Sequence, residues 1–252
     1  MDLGLKGMKA LVTGGSKGIG KCIAETLADE GCDVGICARN EGPLNDVVEG
    51  LKAKGVNATG SAVDVTDTDA LKGWVSSAGD ALGGIDIYVS NVSAMAIMPD
   101  ENSWRTSLEV DIMGTVLGVE AATPKLIESG KGAIVVIGTV ASIEVAGPSP
   151  YASVKAALLP YVKGLANGLA KKGVRANTVS PGSVYFEGGV WDMIKQNMPE
   201  RYEGTLKRNK LGRMASPEDV ANAVTFLASP AASFITGTTV IVDGALTNRV
   251  QY

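Results

Sequence analysis

The sequence predicts a doubly wound α/β domain, in which a seven-stranded parallel sheet carries helices on both faces. Short apolar runs alternate with helical segments along the chain, and no linker, repeat or low-complexity tract interrupts this alternation. The runs are apolar on both faces, which is typical of parallel strands buried between two layers of helices. Since 252 residues with a 45% hydrophobic fraction can bury a sizeable core, we predict a single domain over residues 1–252.

Turns and helical segments separate seven apolar runs, which are the predicted strands. The first helix is predicted over residues 19–30, and Gly31 ends it. The strands are predicted, in chain order, at residues 9–13, 33–38, 58–63, 85–90, 133–137, 174–179 and 239–242.

The stretch of about residues 183–214 departs from this alternation. It follows the sixth strand and precedes a helix that opens with Ser216 as N-cap and Pro217 in the first turn. We predict an irregular insertion here. Because it follows the carboxyl end of a parallel strand, we expect it to be a lid over a substrate.

The chain contains no histidine, and this absence excludes several kinds of catalytic site. A Ser-His-Asp triad, a Cys-His pair and the His-bearing zinc sites of hydrolases all need an imidazole. The groups left for proton transfer at neutral pH are carboxylates, Lys, Tyr and Cys.

The charge balance and the cysteines bear on partners and location. With 23 Lys and Arg against 27 Asp and Glu, the net charge of −4 argues against a nucleic-acid or anionic-membrane surface. The apolar runs are too short to cross a bilayer, and the N-terminus does not read as an export signal. Cys22, Cys32 and Cys37 are odd in number and lie close together, so we expect a reducing cytoplasm rather than a disulfide framework.

A glycine-rich segment, TGGSKGIG at residues 13–20, connects the first strand to its helix. Gly14 allows the turn, Gly18 allows backbone to approach a pyrophosphate, and Gly20 allows the helix to pack closely on the sheet. The free N–H groups at the helix start supply an anion site. The segment therefore predicts a dinucleotide-binding loop; the alternative is a glycine-rich turn without a ligand.

Further motifs follow the glycine-rich loop in a fixed order. They are Asp64-Val65 after strand three, Asn91 after strand four, Tyr151-x-x-x-Lys155, Asn177 with Pro181-Gly182 after strand six, and Asp243-Gly244 near the end. Together with the G-x-x-x-G-x-G loop, this order resembles the short-chain dehydrogenase/reductase family over about residues 7–244. The resemblance implies a Rossmann domain that binds a nicotinamide dinucleotide and acts on a small carbonyl or alcohol.

The resemblance also implies positions for the cofactor and for subunits. It puts Asp64 and Val65 at the adenine and Asn91 along the adenosine wall. It implies a homo-oligomer, a dimer or tetramer formed through the helices that carry Asp111 and Tyr151.

The end of strand two indicates which nicotinamide cofactor binds. An NAD site needs a carboxylate there, whereas this chain has Arg39 just beyond the strand and a second cation, Lys17, in the glycine-rich loop. Two cations converging on a 2′-phosphate favour NADP(H). The alternative is that both are solvated surface charges.

Tyr151 and Lys155 are the predicted acid/base pair. They are four residues apart at the start of a helix, so their side chains share one face. A phenol has a pKa near 10, and we expect the neighbouring ammonium and the oxidised nicotinamide to lower it into a working range. Lys155 can also hold the ribose hydroxyls of the cofactor.

Two further catalytic positions depart from the pattern of the family. Thr139 stands where the family has a Ser that binds the substrate oxygen, and Ser142 is its rival for that role. Asp111 stands where the family has an Asn whose backbone carbonyl holds a water leading to the Lys. An ionised Asp111 would hold the Lys155 proton more tightly; the alternative is a helix-interior Asp at a kink.

Two departures lie on the cofactor side. Residues 90–93 read Ser-Asn-Val-Ser, and Phe186 stands where a Thr usually binds the carboxamide. Backbone groups near Val184 remain available for that contact. No metal site is predicted, and the predicted cofactor-binding residues are Gly14, Ser16, Lys17, Gly18, Ile19, Gly20, Arg39, Asp64, Val65, Asn91, Tyr151, Lys155, Pro181, Gly182 and Val184.

The hypothesis that follows is an NADP(H)-dependent oxidoreductase. Tyr151 protonates the carbonyl oxygen, Thr139 orients it, and Lys155 tunes the Tyr. Apolar residues in the insertion favour a hydrophobic or aromatic ketone, or a 3-oxoacyl-type substrate. The alternatives are a non-catalytic dinucleotide-binding sensor, which the altered positions 111 and 90–93 favour, and an NAD-linked alcohol dehydrogenase.

Overall fold

A computed structural model describes residues 2–144 and 147–250 of the chain. Within these residues, seven strands form one sheet in the order β3-β2-β1-β4-β5-β6-β7. Every neighbouring pair is parallel, so the predicted doubly wound fold is confirmed. The strands are β1 (Lys9–Thr13), β2 (Asp33–Ala38), β3 (Ala58–Ala62), β4 (Ile87–Ser90), β5 (Ala133–Ile137), β6 (Arg175–Pro181) and β7 (Thr239–Val242).

The order of the strands reverses between β1 and β4. From β1 the chain winds outward to β2 and β3, then returns to β4 on the other side of β1 and winds outward to β7. In such sheets the crevice at the carboxyl ends of the strands, beside the reversal, is where ligands bind. The topology therefore places the ligand site before any side chain is considered.

Helices cover both faces of the sheet. One core cluster packs α1, α2 and α9 on one face, and a second packs α3, α5 and α6 on the other. Alternate residues of the five central strands enter opposite clusters, as Val12 and Leu11 do on β1, which explains why these strands are apolar on both sides. The helices are α1 (Gly18–Asp29), α2 (Glu41–Ala53), α3 (Thr68–Leu82), α4 (Glu101–Ser107), α5 (Gly114–Glu128), α6 (Pro150–Leu169), α7 (Val190–Asn197), α8 (Pro199–Arg208) and α9 (Pro217–Ala228).

A π-helical turn, Leu108–Met113, joins α4 to α5. Asp111 lies in this turn, and its side chain is fully buried. Wide turns of this kind frequently mark functional sites, because the extra residue changes the direction of the side chains around it.

The insertion at residues 183–214 contains two helices, α7 and α8, so the prediction of an irregular segment was wrong. Pro199 at the first position of α8 and acidic residues in the first turn of each helix favour helix starts. The helix after the insertion opens as predicted: the Asp219 side chain accepts a hydrogen bond of 2.8 Å from the Ser216 backbone N–H.

The three cysteines are free and buried. Burial raises the pKa of Cys22, Cys32 and Cys37 to about 12 in each case. Among the described residues, no helix combines the length and the apolar character needed to span a membrane.

Candidate active site

A cleft of about 480 Å³ opens at the carboxyl ends of β1, β4, β5 and β6. It brings together fifteen of the seventeen predicted site residues; the other two, Gly18 and Asp111, lie outside its lining. The predicted residues that line it are Gly14, Ser16, Lys17, Ile19, Gly20, Arg39, Asp64, Val65, Asn91, Thr139, Tyr151, Lys155, Pro181, Gly182 and Val184.

The glycine-rich loop forms a tight turn at one end of the cleft. Gly14 has φ +69° and Gly18 has φ +54°, conformations that favour glycine. A Cβ on Gly20 would lie 2.2 Å from the carbonyl oxygen of Gly14, so only glycine allows α1 to start this close to β1. The loop is therefore built for backbone contact.

Free N–H groups at the start of α1 fit a phosphate. No side chain caps α1, whose N-cap is Lys17, and its first turn contains no acidic residue. By contrast, Asp67, Asp100 and Ser149 cap α3, α4 and α6 with side-chain oxygens. The amides of α1 are thus left for an anion, which is the arrangement that holds a dinucleotide pyrophosphate.

Asn91 holds the loop against the end of β4. Its side-chain amide donates to the carbonyl oxygens of Thr13 at 3.0 Å and Gly14 at 3.3 Å. Its backbone N–H donates to the Thr13 hydroxyl at 3.0 Å. Asn91 thus supports the glycine-rich loop from behind while it lines the cleft.

The tip of β2 carries positive charge. Lys17 and Arg39 are exposed at the cleft, and within the described chain neither is held in an ion pair. Hydrogen bonds from Thr66 and, to a smaller extent, the charge of Arg39 lower the pKa of Asp64, which lies at the same end.

Val184 offers backbone groups to the cleft. It forms a parallel bridge with Ala215 in which Tyr185 N donates to Ala215 O and Ala215 N donates to Ser183 O. In a parallel bridge of this kind, the N–H and C=O of the middle residue, here Val184, point away from the bridged partner Ala215. Those of Val184 have no hydrogen-bond partner within residues 2–144 and 147–250, so they suit a carboxamide.

Tyr151 and Lys155 lie one turn apart on α6, and both line the cleft. Ser149 starts the helix by accepting a hydrogen bond of 3.3 Å from Ala152 N, and Pro150 occupies the first helical position. The Lys155 ammonium donates to the carbonyl oxygen of Ile137, at the end of β5, over 2.9 Å. This bond fixes the lysine under the catalytic end of the cleft.

Thr139 and Ser142 have different surroundings. Thr139 is buried at the cleft beside Tyr151, and its hydroxyl accepts from Ala141 N at 3.2 Å. The Ser142 hydroxyl instead donates to the Thr139 carbonyl at 2.8 Å, and Ser142 does not line the cleft. Of the two rivals, Thr139 is the one that the fold brings to Tyr151.

Asp111 lies behind Lys155. Its Oδ1 is 3.3 Å from the Lys155 ammonium, and the two side chains are 0% and 2% exposed. Its Oδ2 accepts a hydrogen bond from Ala94 N at 3.3 Å. The side chain, rather than only the backbone, therefore contacts the lysine.

The family follows from comparison with known proteins. A family model described as "Enoyl-(Acyl carrier protein) reductase" matches residues 14–247. The structure is similar to a short chain dehydrogenase from Burkholderia cenocepacia J2315 in complex with NADP, with a TM-score of 0.86 and 30% identity over 96% of this chain and 98% of that one. This chain belongs to the short-chain dehydrogenase/reductase family.

Two other members of the family are similar over nearly their whole length. Isoepoxydon dehydrogenase patN from Penicillium expansum is 37% identical, covering 100% of this chain and 99% of that protein. The 3-oxoacyl-[acyl-carrier-protein] reductase FabG from Vibrio cholerae is 33% identical, covering 97% of this chain and 99% of that protein. The predicted family is confirmed, and the chain is an oxidoreductase of the dehydrogenase/reductase type.

In this short-chain dehydrogenase/reductase, the protein's own groups raise the pKa of Tyr151. Burial raises it, hydrogen bonding with Thr139 lowers it, and the charge of Asp111 raises it. The pKa of Tyr151 thus lies above its usual value in the protein alone, whereas the neighbouring ammonium and the oxidised nicotinamide together were expected to lower it. Burial of the phenol, which disfavours its charged form, is the largest cause of this difference.

The pKa of Lys155 is lowered. Burial is the largest cause, and the charge and hydrogen bonding of Asp111 raise the pKa in opposition. Asp111 thus acts on the lysine proton in the expected direction, but desolvation of the ammonium outweighs it.

Two hydroxyl groups that support the π-helical turn were not predicted. The Thr115 hydroxyl donates to the Asp111 carbonyl at 2.7 Å and lies 2.9 Å from the Ser90 hydroxyl. The signal was available, since a Thr four residues after Asp111 in a helix commonly bonds to that carbonyl. In the family, the backbone carbonyl at the position of Asp111 holds a water. In this protein, the Thr115 hydroxyl donates a hydrogen bond to that carbonyl.

Within the insertion, a cluster of side chains ties α7 to α8. The Tyr185 hydroxyl donates to Asp192 at 3.1 Å, and the Lys195 ammonium lies 5.1 Å and 5.4 Å from the ring centres of Tyr185 and Tyr202. Cation–π contacts of this kind favour one arrangement of the two helices. The insertion is therefore a structured segment, and its residues Phe186, Val190 and Trp191 line the cleft.

Proposed function

We propose that this protein is an NADP(H)-dependent oxidoreductase that interconverts a carbonyl and a secondary alcohol. The observation that carries the proposal is a single cleft with an uncapped glycine-rich helix start at one end and Thr139, Tyr151 and Lys155 at the other. The bound nicotinamide would supply or accept the hydride. The test is to follow NADPH absorbance with purified protein against a panel of ketones and aldehydes.

Tyr151 is the proposed proton donor to the carbonyl oxygen. Because burial raises its pKa, the phenol keeps its proton at neutral pH, which suits carbonyl reduction. Thr139 would donate a hydrogen bond to the same oxygen and orient it. Lys155 would hold the ribose hydroxyls, with its position set by Ile137 and Asp111.

NADP(H) is preferred over NAD(H) in this proposal. The exposed cations Lys17 and Arg39 supply positive charge where a 2′-phosphate lies, and β2 ends without a carboxylate. The relative from Burkholderia cenocepacia, solved with NADP, supports this choice.

We propose a hydrophobic or aromatic ketone as the substrate class. Apolar side chains line much of the cleft, with Ser93 and Thr106 as polar groups among them. The similarity to a 3-oxoacyl-[acyl-carrier-protein] reductase makes a 3-oxoacyl group the second candidate. The apolar lining residues are Val92, Met95, Val110, Phe186, Val190 and Trp191.

The insertion at residues 183–214 is the proposed lid of this one domain, since Phe186, Val190 and Trp191 line the cleft. The alternative functions fit less well. A non-catalytic sensor has no use for the Thr139 hydroxyl placed beside the Tyr151 phenol at the cleft, and an NAD-linked dehydrogenase is disfavoured by Arg39.

We propose a cytoplasmic homo-oligomer, a dimer or tetramer. Trp104, Leu108 and Met113 are exposed on the segment that carries Asp111, and such side chains commonly pack between subunits. Sedimentation of the purified protein tests the oligomeric state.

A further inference from the structure

Phe186 occupies an unusual place between two glycines. A Cβ on Gly18 would lie 2.6 Å from Cζ of the ring, and a Cβ on Gly189 would lie 2.9 Å from the same atom. At both positions the three nearest atoms are ring atoms of Phe186. The ring therefore packs directly on two stretches of backbone that no other residue type would leave open.

The two glycines belong to different parts of the site. Gly18 is the first residue of α1, in the glycine-rich loop, whereas Gly189 is the N-cap of α7, in the insertion. The Gly189 N–H also donates to the Phe186 carbonyl at 3.0 Å, which fixes the short turn between them. One side chain thus connects the insertion to the phosphate-binding loop.

The contact with Gly18 puts the ring of Phe186 against the phosphate-binding loop. Phe186 itself lines the cleft, and its ring covers the Gly18 backbone. A phenyl ring cannot donate the hydrogen bond that a threonine would supply here. Its contribution is apolar contact, which holds the beginning of α7 at a set distance from the loop.

We propose that Phe186 is a positioning residue that fixes the insertion on the phosphate-binding loop and thereby slows the release of NADP(H). This inference rests on the proposed function, since it requires the cleft to bind NADP(H). The contact of the Phe186 ring with Gly18 would take the place of the hydrogen bond that a Thr at this position would supply.

Gly189 allows a sharp test, because its backbone does not require glycine. Its φ of −86° and ψ of 173° are open to alanine, so the nearest atoms that the new methyl of Gly189→Ala meets are those of the Phe186 ring. The matched control is Gly204→Ala, which lies in the same insertion and has no atom within 4 Å of its Cβ position.

The experiment measures the Kd and the dissociation rate of NADPH by fluorescence, with thermal melting as a check of folding. We expect Gly189→Ala and Phe186→Ala each to raise the Kd and the dissociation rate by about tenfold, because each loses the apolar contact that one ring makes. Gly204→Ala should match the parent. The double variant Phe186→Ala/Gly189→Ala should be no weaker than Phe186→Ala alone, because the added methyl then has room.

Each other outcome overturns a defined claim. If the parent protein does not bind NADPH, the proposed function fails. If the parent binds NADPH but Gly189→Ala equals Gly204→Ala, or if the two single effects multiply in the double variant, the role of Phe186 is wrong. Tighter binding by Phe186→Ala would also overturn it, because the ring would then obstruct the cofactor.

Discussion

The Lys155 ammonium lies 3.3 Å from Oδ1 of Asp111, in a pair that is almost completely shielded from solvent. Burial lowers the pKa of Lys155 and raises that of Tyr151; the charge of the carboxylate opposes burial at Lys155 and adds to it at Tyr151. A neutral amide at position 111 would remove both effects. The charge of one residue that does not line the cleft thus bears on both members of the acid/base pair.

Asp111→Asn should therefore move the pH dependence of alcohol oxidation to lower pH. Oxidation needs Tyr151 without its proton, and the substitution lowers the pKa of this phenol by removing a negative charge. The measurement is the pH profile of kcat in the oxidative direction. A rising limb of the profile that stays in place, or moves to higher pH, would contradict a role for the Asp111 charge.

Tyr151→Phe should strongly reduce turnover without loss of cofactor binding. The substitution removes the proton donor and keeps the ring, so we expect kcat to fall by about 10²–10⁴-fold. Titration with NADPH should give a Kd close to that of the parent. Turnover at the parental rate would exclude Tyr151 as the general acid.

Thr139 and Ser142 can be separated by matched substitutions. Thr139→Val keeps the shape and removes the hydroxyl, and we expect kcat to fall by about 10²–10³-fold. Thr139→Ser should retain most activity, and Ser142→Ala should resemble the parent because its hydroxyl contacts only backbone. The reverse order of effects would assign the substrate oxygen to Ser142.

The preference for NADP(H) depends on Lys17 and Arg39. Replacing either by Ala should weaken NADPH binding by about tenfold or more, since each loses a charge-assisted contact, and should leave NADH binding nearly unchanged. Lys21→Ala is the control, because Lys21 lies on α1 outside the cleft lining and pairs with Glu25. Equal effects on both cofactors would refute the assignment.

Removal of two buried hydroxyl groups should have opposite effects on the free energy of unfolding. Tyr88 Oη has no hydrogen-bond partner among the described residues, so Tyr88→Phe should keep or increase the free energy of unfolding. Thr115→Val breaks bonds to Asp111 and Ser90 and should cost about 1–3 kcal/mol. Urea unfolding measures both, and a large loss in Tyr88→Phe would show that its hydroxyl is satisfied.

The sheet was predictable because parallel strands buried on both sides read as apolar runs. β1, β2, β5 and β7 begin and end at the predicted residues. The helices α7 and α8 were not predicted, because they are short and α8 has no fully buried residue. Both helices are amphipathic, but with eight and ten residues they offer little more than two turns over which a helical period can be recognised.

In the site, motifs that end parallel strands were expected to meet, and they line one cleft. The contacts between distant elements could not be read from spacing. The pairing of Asp111 with Lys155 depends on how the π-helical turn packs against α6. The contact of the Phe186 ring with Gly18 depends on where the insertion returns to α1. The direction of the Tyr151 pKa required its burial to be known.

The buried cysteines have a practical consequence. Cys22, Cys32 and Cys37 all lie in or beside the first two strands and their connecting helix, and with a pKa of about 12 they carry no thiolate at neutral pH while the chain is folded. Alkylating reagents can attack them only when this region opens. The native thiols thus serve as built-in reporters of unfolding in this half of the sheet, with no label to introduce.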